Sequence, residues 1–272
     1  MTILQEMFSY HFMIRAVVIG GLVALCASLL GVTLVLKHYS MIGDGLSHVG
    51  FGALSVAMVM NAAPLAVAVP VVILAAFLLL RISENGKLKG DAAIGLISSS
   101  AIAIGVVVTS LSSGMNADVY SYMFGSILSM SESDVVLSVG LSVVVLLVFV
   151  LCYNTIFAVT FDERFAKANG TKTGWYNILL AILTAITIVV GMRIMGTMLI
   201  SGLIIFPALS SMRVFQNFRS VMISSAVISV VCFFIGIVIS YLLAVPTGAS
   251  IVLTNLAVYL LSAAAGKVLG VD

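Results

Sequence analysis

Long apolar stretches, broken at short intervals by clusters of polar or basic residues, dominate this chain. A helix that crosses a bilayer needs about 20 mostly apolar residues. On that measure the apolar runs at 12–36, 43–61, 65–80, 92–111, 135–153, 175–192, 197–212, 221–244 and 249–265 each read as a candidate span. The pattern predicts an all-α, polytopic transmembrane helical bundle of eight or nine spans, nine by hydropathy. No stretch between the runs is long enough for a soluble domain, so residues 1–272 are expected to form a single transmembrane domain.

Composition agrees with the pattern. Hydrophobic residues make up 62% of the chain and charged ones 8%, against about a quarter charged in soluble domains. The lipid bilayer is therefore the expected surroundings and no nucleic-acid partner is expected; the net charge of +2 says little about partners, since in a membrane protein the placement of Lys and Arg matters more than their sum. The start of the chain carries Glu6 and no basic segment, so no cleavable signal peptide is expected. Cys26, Cys152 and Cys232 stand singly in apolar runs and read as small buried hydrophobes.

The basic residues set an orientation. Alternate loops, beginning after the first span, hold Lys37, Arg81, Lys87, Lys89, Arg164, Lys167, Lys172, Arg213, Arg219 and Lys267, whereas Arg15 and Arg193 fall on the other side with Asp118, Glu132 and Asp134. By the positive-inside rule the N-terminus is expected outside and the C-terminus in the cytoplasm.

Within the runs a few residues carry further expectations. Gly20, Ala24 and Ser28, spaced by four, allow another helix to approach closely. Residues 117–130 are too short to span and too apolar for a solvated loop; they fit a helix re-entering the outer face or one lying at the interface. Arg193 can pair with an acid or snorkel from its span end, and snorkelling is the expectation. Pro207 should kink its helix, and Pro246-Thr247-Gly248 reads as an outside turn.

The segment 160–170 is the most legible soluble element. Thr160 and Glu163 have the spacing of a capping box, and Asp162, Glu163 and Lys167 complement a helix dipole. Gly170 can supply a left-handed stop. Phe161, Phe165 and Ala168 are expected to share one face, which either lies on lipid headgroups or docks a partner protein.

The stretch with the most chemical content is Gly43-Asp44-Gly45-Leu46-Ser47-His48. Asp44 and His48, four apart, fall on one helix face one turn apart, with Ser47 between them and Ser55 further along. A carboxylate inside an apolar span is costly, about 2.5–3.5 kcal/mol on insertion scales, so it needs a partner, a watery cavity or a cation. The pair fits two readings: a buried ion pair that stabilises the bundle, or transient ligation of a divalent cation. Carboxylate oxygen with imidazole nitrogen suits Zn, Mn or Fe(II) better than Cu(I). Two ligands are too few for a closed site, but a two-fold dimer with this helix near its axis would bring two Asp and two His together. Met41 and Met198 are candidate pathway-lining residues with Ser47 and Pro207. His11 and His38 sit at span ends and read as interfacial. A second span that begins at Gly43 would leave Asp44 near the cytoplasmic edge.

No phosphate-cradling Gly-x-x-x-x-Gly-Lys-Ser/Thr occurs, so the chain is not expected to be an enzyme, and any ATP-driven work must come from another subunit. An ion-coupled secondary transporter or a non-transporting scaffold are the rival classes, although Asp44 is nearly alone as an intramembrane acid.

Four blocks taken together resemble the permease subunit of ATP-binding-cassette importers for zinc, manganese or iron. They are Gly43-Asp44-Gly45-Leu46-Ser47-His48; Phe161-Asp162-Glu163-Arg164-Phe165-Ala166-Lys167-Ala168-Asn169-Gly170; Gly196-Thr197-Met198-Leu199 through Ile205-Phe206-Pro207-Ala208; and Pro246-Thr247-Gly248-Ala249-Ser250-Ile251-Val252-Leu253. The resemblance implies the fold of the all-helical type II importers in a bacterial cytoplasmic membrane. A second copy would form a homodimer, joined by a pair of separate ATPase subunits and an extracytoplasmic metal-binding protein. No permanently bound cofactor is implied; the divalent metal (Mn, Zn or Fe) is cargo. Asp44 and His48 match the family's metal ligands. The segment 160–170, with Phe161, Asp162, Glu163, Arg164, Phe165, Lys167 and Gly170, matches its ATPase-coupling helix. Phe51-Gly52 stands where many members have Leu-Pro, so the bend of this helix is expected to differ.

Overall fold

The computed structural model describes residues 7, 9–85, 90–112, 123–125 and 132–269. Most of the segment 117–130, together with Lys87, Lys89 and Asp118, lies outside the described residues. In chain order the helices are α1 (His11–Leu36), α2 (Ile42–Val59), α3 (Pro64–Asn85), α4 (Gly90–Ser112), α5 (Glu132–Leu151), α6 (Tyr153–Phe161), α7 (Glu163–Ala168), α8 (Thr173–Met195), α9 (Ile200–Met212), α10 (Phe218–Leu243) and α11 (Thr247–Leu269). Among the described residues eight helices are long and apolar enough to cross a membrane: α1 to α5, α8, α10 and α11. The chain is a multi-pass, all-helical membrane protein.

The central helices are α1, α2 and α8, most of whose spanning residues are buried, whereas α4, α5, α10 and α11 expose long apolar faces. The expected small-residue stripe of α1 is used. Gly20 accepts the ring of Phe233, and Ser229 and Ser225 of α10 donate to the carbonyl oxygens of Ala24 and Ser28 at 2.9 and 3.4 Å. Small residues let two backbones approach closely, so that packing and hydrogen bonds hold the helices together where lipid supplies no hydrophobic driving force. On α2, a Cβ at Gly52 would fall 2.7 Å from the Ala101 carbonyl oxygen, so α4 lies directly against that helix.

The apolar run at 197–212 departs from expectation. Only Ile200–Met212, 13 residues, is helical, too short to span alone. The four residues before it are not a helix: Gly196 has φ +86°, a conformation open to glycine, and turns the chain after α8. Met195 abuts Gly248 at the start of α11, and Arg213 abuts Gly266 near its end. Those two glycines are eighteen residues apart on α11, about 27 Å. Residues 196–213 therefore cross the same thickness as a hydrogen-bonded turn followed by a short helix. The start of α1 and the end of α11 consequently lie on opposite faces, called here the N-face and the C-face.

Arg193 corrects a second expectation. It does not snorkel; its side chain is 3% exposed and pairs with Asp134 of α5 at 2.5 Å. The end of α8 is roofed by residues 123–125 and by the start of α11, so water is out of the guanidinium's reach and the acid takes its place. A second N-face pair, Arg15 with Glu132 at 2.6 Å, is open to solvent. The chain reverses between α10 and α11 earlier than expected, at 244–246, with Ala244 left-handed at φ +51°; Thr247 and Gly248 already belong to the first turn of α11. Pro207 is buried inside α9, which continues across it. Cys26 and Cys232 are buried and Cys152 partly so.

Candidate metal centre and coupling surface

The first turn of α2 carries Asp44, where the amide dipoles favour a carboxylate. His48 follows one turn later, its Nε2 3.5 Å from Asp44 Oδ2. The other carboxylate oxygen, Oδ1, accepts from the Ser201 hydroxyl of α9 at 3.2 Å. Ser201 was not singled out in the sequence, since one serine in an apolar helix makes no pattern. The Asp44 side chain is 37% exposed and that of His48 14%, so this pair opens onto the protein surface.

Asp44 lies in the first turn of the second span, as the sequence places it. Ser201 lies twelve residues before Arg213, about 18 Å along the helix from the C-face. α2 starts within the bundle because Gly43 allows Ile204 of α9 to pack against its first turn, 3.2 Å from where a Cβ would be.

The other proposed lining residues divide. Met41 and Met198 are about half exposed, three residues before Asp44 and Ser201 respectively. Ser47 is fully buried and its hydroxyl donates to the Asp44 carbonyl at 2.7 Å, so it faces its own helix. Ser55 does the same toward Phe51. Pro207 is buried. Among the described residues no group of three His, Cys, Asp or Glu side chains converges. One chain thus offers a carboxylate, an imidazole and a hydroxyl, an open donor set for a divalent cation rather than a closed site.

At the C-face α7 is a separate short helix. Its N-cap is Asp162, whose Oδ1 accepts from the Phe165 amide at 2.8 Å. The expected capping box is absent: Thr160 belongs to α6 and donates to the Ile156 carbonyl. Glu163 does not reach back to the cap but turns inward, to Asn177 at 2.9 Å and Lys37 at 3.3 Å. Gly170, at φ +85°, closes the helix as expected, with the Gly170 and Thr171 amides donating to the Lys167 and Ala166 carbonyls. The expected shared face of Phe161, Phe165 and Ala168 is also revised. Phe161 ends α6 and meets the Phe218 ring edge-on at 5.6 Å, and the residue α7 buries is Ala166. Phe165 is 64% exposed, and Arg164, Lys167 and Trp175 are exposed beside it. α7 therefore presents an apolar and cationic surface at the C-face.

The ABC 3 transport family matches residues 9–266. The chain belongs to that family. It is 28% identical over 259 residues to the manganese import system permease protein ScaB of Streptococcus gordonii, covering 95% of this chain and 93% of that one. It is 31% identical over 264 residues to a probable iron transport system membrane protein of Haemophilus influenzae, covering 96% and 92%. Among solved structures, PsaBC from Streptococcus pneumoniae in complex with Fab superposes with a TM-score of 0.86 at 27% identity, covering 95% of this chain and 93% of that one. Membership of this family agrees with the resemblance drawn from the four sequence blocks.

Proposed function

We propose that this chain is the permease subunit of an ABC importer that moves a divalent transition-metal cation into the cytoplasm of a bacterium. The whole chain acts as one permease domain in the cytoplasmic membrane, with the N-terminus outside and the basic C-face in the cytosol. The observation that carries the reading is the Asp44–His48 pair, backed by Ser201 and open to the surface. A stabilising ion pair has no reason to stay open; a transient ligand set does. Two copies about a two-fold axis supply two carboxylates and two imidazoles, enough to hold a cation briefly without trapping it.

Manganese, zinc and iron all suit this oxygen and nitrogen set. Relatives named for manganese and for iron support metal cargo without choosing between them. An extracytoplasmic binding protein delivers the metal to the N-face. Two ATPase subunits seat the exposed Phe165 surface of α7 and drive the bundle between its open states.

Reconstitution tests this. Proteoliposomes holding the permease and its ATPase should accumulate radioactive manganese(II), zinc(II) or iron(II) from the loaded binding protein only when ATP is supplied. Accumulation by the permease alone, driven by a proton or sodium gradient, would instead establish the secondary-transporter reading. Phe165→Asp should abolish co-purification of the ATPase while leaving the permease itself intact.

A further inference from the structure

Lys37 is an unusual cation for a membrane protein's cytosolic end: its side chain is only 8% exposed. Its Nζ donates to Asn177 Oδ1 of α8 at 2.5 Å, to Glu163 Oε2 of α7 at 3.3 Å and to the Val159 carbonyl of α6 at 3.4 Å. Asn177 closes the ring by donating to Glu163 Oε1 at 2.9 Å. One ammonium thus ties together the three helices around the coupling surface, and it belongs to a fourth element, the end of α1.

The turn after Lys37 is stiff. The Tyr39 amide donates to the Leu34 carbonyl at 2.8 Å and the His38 amide to Val35 at 3.1 Å, with His38 left-handed at φ +59°. This doubly hydrogen-bonded reversal is a Schellman-type stop. The Ile42 amide then donates to the Tyr39 carbonyl at 3.0 Å, so α2 starts directly on that turn. Asp44 sits seven residues beyond Lys37, with no slack between.

The covalent chain does not make this connection. α7 is joined in sequence to α6 and α8, and Asp162 between α6 and α7 is extended, at φ −146°. A push on α7 therefore passes by covalent linkage into α6 and α8, but reaches α1 and α2 only through side chains. A connection qualifies as coupling when the same element biases both sites, and the Lys37 ring is placed to do so.

Resting on the importer reading above, we propose that Lys37, Glu163 and Asn177 form a positioning clamp that transmits movement of the ATPase-docked helix α7 to α2, and so to Asp44 and His48. Lys37 touches neither metal nor ATPase; it acts through the turn that carries α2.

The experiment uses the complete transporter, reconstituted with its ATPase and fed by binding protein loaded with manganese(II). Lys37→Met keeps the side chain's length and removes its charge, and Glu163 is open enough to be hydrated once unpaired. For this variant the stimulation of ATP hydrolysis by loaded binding protein, relative to its own basal rate, should fall about fivefold or more. Manganese moved per ATP should fall with it, while basal hydrolysis and ATPase co-purification persist. Glu163→Gln should lower the same ratio, and the double variant should be no worse than Lys37→Met alone. Glu163→Gln carries the test if Lys37→Met is not recovered from membranes. An unchanged ratio overturns the clamp. So does loss of ATPase co-purification in Lys37→Met, which would make Lys37 a mere prop for α7, and so do additive losses in the double variant. Failure of the native transporter to couple uptake to ATP would instead overturn the importer reading itself.

Discussion

Among the described residues, two acid–base pairs within the bundle are built to different ends. Arg193 and Asp134 meet at 2.5 Å with side chains 3% and 15% exposed. Asp44 and His48 stand 3.5 Å apart, and the carboxylate is 37% exposed. The first joins α8 to α5 near the N-face, largely withdrawn from solvent, and the two charges compensate each other across the helices. The second joins two residues of one helix and binds nothing together that the helix does not already hold. Burial distinguishes a pair that supports the fold from one that is free to exchange its partner for a cation. The solvent-open pair Arg15–Glu132, at 2.6 Å, shows that a short distance alone does not make a structural ion pair, because water screens it.

The comparison can be broken most severely at Arg193. Arg193→Leu removes the buried cation that pairs with Asp134 and should cost about 3–5 kcal/mol, read as lost monodisperse yield and a lower melting temperature of the purified permease. Changing both residues to Leu should restore much of that loss, since an apolar pair of similar volume replaces a buried ion pair at little cost. Failure of the double variant to recover would mean that the pair has a role beyond mutual compensation.

A smaller effect is expected at Ser201. Ser201→Ala removes one hydrogen bond to the Asp44 carboxylate, about 1.5 kcal/mol, so manganese uptake should fall several-fold with only a small drop in melting temperature. A matching loss of stability would move Asp44 into the structural class. Smallest of all, Arg15→Ala should change stability by less than about 1 kcal/mol; a larger drop in melting temperature would remove burial as the criterion.

Most of the bundle is legible in hydropathy because lipid leaves a helix few alternatives to satisfying its own backbone. The run at 197–212 misleads for a related reason: mean hydropathy does not separate thirteen helical residues from the turn at 196–199 that precedes them. The Asp44–His48 pair is legible because its two members are four apart on one helix. Ser201 is not, because its partner is 157 residues away, and neither is the Asp134 partner of Arg193. At α7, Thr160 and Asp162 both offer a capping oxygen two residues apart. Asp162 takes the cap, which makes Glu163 the first helical residue rather than the third, and Glu163 turns instead to Lys37 and Asn177, so the capping box is not formed.

The central claim is that Asp44 and His48 hold the passing cation. The direct measurement is manganese(II) uptake by proteoliposomes containing the assembled transporter, with Asp44→Ala and His48→Ala compared singly against the native chain at matched protein. Each variant should assemble with its ATPase and melt like the native permease, and each should lose at least about tenfold in uptake. Native uptake in both variants would contradict the assignment.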